Sequence, residues 1–180
     1  LNANHIKTTT SGWVYACAKP LHIGKSTSIW DVKITNDKDE LVSCKITNGK
    51  NEIFIATHDG KAIRFKENNV REMGRTAGGV RGMNLGKGDR VIAMDIVAPK
   101  AIALSITENG FGKKTRFDEY RIQTRGGKGI INVKVTSKNG KVVRVLTVNE
   151  SDEIVLVTSG GMVVRCPVNQ IRTSGRNAVG

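Results

Sequence analysis

Nine basic residues recur in this 180-residue sequence at a nearly constant period. Arg64, Lys114 and Arg165 form one set, Arg71, Arg121 and Arg172 a second, and Arg75, Arg125 and Arg176 a third, each with steps of 50 and then 51 residues. A guanidinium group grips phosphate oxygens through two parallel hydrogen bonds. Glycines close to Arg125 and Arg176 let the backbone approach an anion and offer N–H groups as well. The chemistry this pattern suits is the holding of a polyanion at evenly repeated points.

Other chemistries find little support. The carboxylate pairs Asp118/Glu119 and Asp152/Glu153 fall in turns beside strands, with no paired acid–base arrangement, and no nucleophile is assigned. His5, His22 and His58 lack metal-ligand spacing to one another or to the cysteines, so no metal site is expected. Cys17, Cys44 and Cys166 are widely separated and odd in number, and read as reduced packing residues. The cluster Gly126-Gly127-Lys128-Gly129 lacks the four-residue spacer and the Lys-Ser/Thr ending of a nucleotide phosphate loop.

Charge agrees with the repeated cations. Lysine and arginine number 29 against 16 acidic residues, a net charge of +13 with an isoelectric point near 10.0. That surplus exceeds what folding or solubility requires and points to a polyanionic partner. No apolar run approaches the ~18 residues of a spanning helix, and the first residues, interrupted by His5, Lys7 and a threonine run, do not read as a signal peptide. A cytoplasmic location is the expectation.

These cations must be positioned by repeated elements, and the period extends beyond them. Thr57-His58-Asp59-Gly60 recurs as Thr107-Glu108-Asn109-Gly110 and Thr158-Ser159-Gly160-Gly161, and Gly79, Gly129 and Gly180 close the units. A fainter copy, Thr9-Thr10-Ser11-Gly12, precedes them, with Ala16 at the basic position. The glycine dipeptides favour tight hairpin turns with positive φ. Before them, Glu52 to Thr57, Ala101 to Thr107 and Glu153 to Thr158 read as strands buried on both faces. After them, Lys61 to Phe65 and Met162 to Cys166 read as more polar partners. Further strands are expected at Glu40 to Ile46, Arg90 to Val97, Gly129 to Val135 and Val142 to Val148. No segment sustains a helical apolar period. The expectation is an all-β fold of about fifty-residue, four-stranded repeats, propeller-like, with a solenoid of sheets as the competing architecture. Trp13, Trp30, Phe54, Phe65 and Tyr120 are assigned to the core.

The motifs Ala62-Ile63-Arg64-Phe65, Val70-Arg71-Glu72-Met73-Gly74-Arg75-Thr76-Ala77, Gly79-Val80-Arg81-Gly82 and Thr107-Glu108-Asn109-Gly110-Phe111-Gly112-Lys113-Lys114-Thr115 resemble blades of the DNA gyrase A C-terminal domain. The last unit, through Gly175-Arg176-Asn177, fits as well. Gln123-Thr124-Arg125-Gly126-Gly127-Lys128-Gly129 resembles that family's signature box, with Thr124 in place of its first arginine. The resemblance is strong over residues 37–180 and weak over 1–36. It implies a β-pinwheel, a propeller whose blades exchange strands, here as an incomplete ring: a divergent blade over 1–36, blades over 37–86 and 87–137, and a truncated blade over 138–180.

The resemblance also implies wrapping of duplex DNA without sequence specificity, in support of ATP-dependent negative supercoiling by a whole type IIA topoisomerase. The DNA-binding set expected on the rim is Arg64, Arg71, Arg75, Arg81, Lys113, Lys114, Arg121, Arg125, Lys128, Arg165, Arg172 and Arg176, joined by the box-like residues. Expected partners are duplex DNA, the remainder of the gyrase A protein, and the gyrase B protein, with no membrane. No cofactor is expected in this chain; ATP and magnesium belong to other parts of the whole enzyme. Neither Tyr15 nor Tyr120 has a context matching the family's DNA-cleaving tyrosine. The alternatives are the corresponding domain of the A-type protein of topoisomerase IV, and a protein-binding propeller scaffold.

Overall fold

A computed structural model describes residues 15–23, 28–35, 40–74 and 77–180, with the side chains of most residues before 40 left aside. Apart from three single-turn 3-10 segments, the described residues are strands, turns and loops.

The strands are β1 (Tyr15–Ile23), β2 (Ser28–Thr35), β3 (Glu52–Thr57), β4 (Lys61–Lys66), β5 (Val91–Ile96), β6 (Ile102–Thr107), β7 (Gly112–Arg116), β8 (Ile130–Ile131), β9 (Val142–Val148), β10 (Glu153–Val157) and β11 (Val163–Pro167). The hairpins β3–β4, β6–β7 and β10–β11 turn at Gly60, Gly110 and Gly161, whose φ values are 81°, 80° and 80°. Each of these glycines donates its N–H to the carbonyl of the threonine three residues earlier, at 3.1, 3.0 and 2.9 Å. The period read from the sequence is thus a period of backbone geometry.

Of the four sheets among the described residues, β1-β2 and β10-β11 are simple hairpins, and the other two take strands from neighbouring repeats. One sheet runs β5-β3-β4-β8 and another β9-β6-β7. β8 lies more than sixty residues after β4, yet Ala62 pairs with Ile130 and Lys61 with Ile131. Nearby, Arg64 forms a parallel bridge to Ile122, and one repeat later Lys114 does the same with Thr173. The outer edges of β4 and β7 are therefore covered by segments of the next repeat, which satisfies backbone groups that an open edge would leave bare. β5 and β9, at the other edges, lie side by side. These open sheets, not closed into a ring, make an incomplete β-pinwheel; the solenoid is set aside.

Packing explains why neighbours hold together. Phe54 on β3 meets Phe117 and Tyr120 of the next repeat edge-on, with ring centroids 5.2 and 4.9 Å apart. Such aromatic pairs contribute about 0.5–1.5 kcal/mol each beyond the area they bury. Ala56, Ala62, Ala101, Ala103, Val133 and Val142 complete this shared core. Phe54, Phe65 and Tyr120 are buried as expected; the side chains of Trp13 and Trp30 lie outside the described residues, as does the faint copy at Thr9 to Gly12.

Two strand expectations are corrected. Glu40 to Ile46 is not a strand: only Glu40 makes a bridge, to Thr35, and residues 41–48 are largely exposed without a partner edge. Gly129 to Val135 shortens to β8, because after Ile131 both Asn132 and Val133 turn their N–H groups onto the Gly60 carbonyl, at 2.8 and 3.1 Å.

Candidate nucleic-acid interface

The three sets of cations occupy three different environments. Those of the second set, Arg71, Arg121 and Arg172, are exposed and make no ion pair among the described residues. Each stands just beyond a single 3-10 turn, Glu67–Asn69, Phe117–Glu119 or Val168–Gln170, closed by the same N–H-to-carbonyl bond. Arg121 and Arg172 immediately precede the bridged residues Ile122 and Thr173, on the outermost segment of their sheets. The turn sets the direction of the chain, and the exchanged edge segment carries the cation to the periphery.

The first set was expected on the rim, and its environment differs. Arg64 is half-buried: Nε donates to Glu52 at 2.6 Å, the guanidinium pairs with the same carboxylate, and Nη1 donates to the carbonyls of Phe117 and Tyr120 at 2.5 and 3.3 Å. Lys114 is 2% exposed, with Nζ 2.6 Å from Glu150. Arg165 is exposed but held by Glu153, with Nε donating at 2.8 Å. The rim placement is therefore corrected for Arg64 and Lys114, because they lie on β4 and β7, whose outer edges are covered by segments of the next repeat. Lys113 is corrected likewise. It is 1% exposed and donates to the carbonyls of Gly175 and Arg176 at 2.7 and 2.8 Å.

In the third set, Arg75 lies outside the described residues. Arg125 is half-buried, donating from Nε to the Asn69 carbonyl at 2.7 Å and from Nη1 to the Arg81 carbonyl at 3.1 Å. Arg176 donates from Nη1 to the Ile131 carbonyl at 3.2 Å, and its backbone N–H meets Glu119 at 3.1 Å.

The box-like run forms one loop beside these residues. The Gln123 N–H donates to the Arg64 carbonyl at 2.8 Å, while its side-chain Nε2 has no partner among the described residues. Thr124 and Lys128 are exposed, and Gly126, Gly127 and Gly129 bring the loop against the preceding repeat. At Gly129, φ is 68° and an added Cβ would come within 2.5 Å of the Ala62 carbonyl, so only glycine fits. Arg81 is exposed on the neighbouring loop.

Exposed cations that the repeat pattern did not single out include Lys134, Lys138 and Arg144. Their register counterparts one period earlier, Asn84, Gly88 and Met94, are not basic, so periodicity carried no signal for them. Lys138 sits over the Phe111 ring at 5.6 Å. Tyr120 is 1% exposed, and burial pushes its phenol well above the ordinary range, so it offers no nucleophile at the surface. No helix of the described residues is long and apolar enough to cross a membrane.

A repeat-built propeller with exchanged edge strands and cations on its outer segments is the class that this geometry defines. The family described as "DNA gyrase C-terminal domain, beta-propeller" matches residues 51–98, 102–149 and 152–180, more than half of the sequence, and the chain belongs to it. The DNA gyrase A protein of Salmonella typhimurium is 43% identical over 145 residues, which is 81% of this chain but 16% of that protein. Among solved structures, a DNA topoisomerase IV C-terminal domain aligns with a TM-score of 0.75 at 30% identity, over 80% of this chain and 45% of the other. A DNA gyrase A C-terminal domain aligns with a TM-score of 0.73, also at 30% identity, over 79% and 49%. The chain thus spans a small part of the gyrase A proteins and about half of these isolated domains. A second family, the thioesterase superfamily, matches residues 1–43. That stretch contains β1 and β2, which pair with each other as a two-stranded sheet.

Proposed function

We propose that residues 51–180 bind and bend duplex DNA without regard to base sequence, as part of the C-terminal region of a DNA gyrase A protein. The observation that carries this reading is the recurrence of Arg71, Arg121 and Arg172 as exposed, unpaired cations at one place in three successive repeats. Arg81 and Lys128, on adjoining loops, extend the array. Evenly spaced charge along successive blades suits a bent polyanion, and phosphate contacts hold DNA without reading its bases.

Bending a 20–30 base-pair site by 40–90° costs about 1–6 kcal/mol, which such contacts must offset. The buried positions of Phe54, Phe65 and Tyr120 supply no stacking platform of the kind single-strand binders use, so duplex is the preferred ligand. In the whole enzyme, this wrapping supports ATP-dependent negative supercoiling together with the gyrase B protein, on the nucleoid.

Titrating linear duplex with the full chain at several salt concentrations tests the reading. With Arg71, Arg81, Arg121, Lys128 and Arg172 each meeting one phosphate, the slope of log affinity against log salt is about −4.5. A slope shallower than about −2, or no complex at low salt, overturns it. The topoisomerase IV reading is separated by joining the chain to a complete breakage–reunion region: only a gyrase-type enzyme converts relaxed circles to negatively supercoiled ones.

A further inference from the structure

We propose that Arg125 and Arg176 are positioning residues that clamp each outer loop onto the loop of the preceding repeat, and so act on bound duplex through their neighbours rather than by touching phosphate. This rests on the DNA-binding reading above.

The same clamp is built twice. Arg125 Nη1 donates to the Arg81 carbonyl at 3.1 Å, and Arg176 Nη1 to the Ile131 carbonyl at 3.2 Å. Arg81 and Ile131 stand one period apart, as do Arg125 and Arg176. Backbone bonds follow the same register. The Asn84 N–H donates to the Gly127 carbonyl at 2.9 Å, and one repeat later the Lys134 N–H donates to the Ala178 carbonyl at 3.2 Å. At the first junction the Gly126 N–H also donates to the Gly82 carbonyl, at 2.7 Å. Successive loops are thus stitched end to end along the periphery.

Arginine suits this place for a geometric reason. Its planar fork reaches two carbonyls on separate segments, as Arg125 does with Asn69 and Arg81. A lysine ammonium is a compact charge on one flexible stem and does not span both. The loop needs an external restraint, because Gly126 and Gly129 adopt positive φ and give it little stiffness of its own.

The clamp also holds what carries the exposed charge. Arg81 offers its own carbonyl to Arg125 while its side chain faces solvent. Lys128 follows Gly127, whose carbonyl is tied to Asn84. Losing the clamp therefore frees two cations from their places without removing either.

The experiment compares wild type, R121A, R121K, R125A and R125K, each as the full chain, by titration with linear duplex and by amide hydrogen exchange without DNA. Arg121 supplies the contrast: R121K should recover part of the affinity lost in R121A, because the charge remains, and neither variant should change exchange at Gly126 or Asn84. R125K should fall with R125A, each about tenfold weaker, and in both the amides of Gly126 and Asn84 should exchange faster while the strand amides keep their protection. R125K binding like wild type, or unchanged exchange at Gly126 and Asn84 in R125A, overturns the clamp. A wild-type chain that leaves duplex unshifted sinks the DNA reading instead, and the exchange data still decide whether the loops are clamped.

Discussion

The Lys113 ammonium donates to the Gly175 carbonyl at 2.7 Å, a bond that crosses from β7 to the loop of the following repeat. One period earlier the corresponding residue is Ile63, which packs beneath Gly127 without a charge. The two inter-repeat junctions are thus built alike in backbone and differently in side chain. One is apolar, and the other buries a cation against Gly175 and Arg176.

This burial makes the second junction sensitive to alkali. Desolvation lowers the Lys113 pKa from 10.5 to about 8, with Glu119 opposing the shift and Arg176 adding to it. Between about pH 8 and 10.5 the unfolded chain holds more protons than the folded one, so stability should rise with pH across that window. Below it, the buried charge exerts its full cost, on the order of 3 kcal/mol. Denaturant melts of wild type and K113M at pH 7.5 and 10 provide the check: the difference between the two proteins should shift in favour of wild type as pH rises. A difference independent of pH would refute the assignment.

Two hairpin glycines of equal φ should respond unequally to substitution. At Gly110 nothing lies within 4 Å of an added Cβ, so G110A should cost about 1 kcal/mol of left-handed strain. At Gly60 the new atom would run into the Val133 carbonyl, and Val135 Cγ2 stands 3.0 Å away. G60A should cost at least about 3 kcal/mol. Thermal or urea unfolding of the two variants measures the gap.

Arg64 and Arg121 should separate stability from binding. R64A leaves Glu52 without its partner and the Tyr120 carbonyl without this donor, and should lower stability by about 2–3 kcal/mol while leaving the salt slope of duplex binding unchanged. R121A should leave the melting curve within about 0.5 kcal/mol of wild type and make the slope shallower by about 0.9. The reverse pattern would place Arg64 on the binding surface.

A buried polar group ties the aromatic cluster to the exchanged segment. Tyr120 Oη donates to Asn132 Oδ1 at 2.5 Å, and Asn132 Nδ2 donates to Ser105 Oγ at 3.1 Å. Y120F should cost about 1–2 kcal/mol. N132L should cost more, because it strands both hydroxyls. Calorimetric unfolding should rank the two in that order.

Local pattern was enough to show the repeat itself. Turn glycines followed by a cation at fixed offset, strands such as Glu52 to Thr57 with near-continuous apolar character, and aligned arginines all report on residues close together in the chain. Those signals led to an all-β, propeller-like fold and to Arg71, Arg121 and Arg172, which the structure leaves exposed. The fate of the other cations was settled elsewhere. Arg64, Lys114 and Arg125 have the same residue chemistry as Arg121, but their partners lie on other strands or in the adjoining repeat, at Glu52, Glu150 and Arg81. Whether a guanidinium meets solvent, a carboxylate or a carbonyl depends on which edge the next blade covers. That is a property of strand exchange over fifty residues or more, and no short window of sequence contains it.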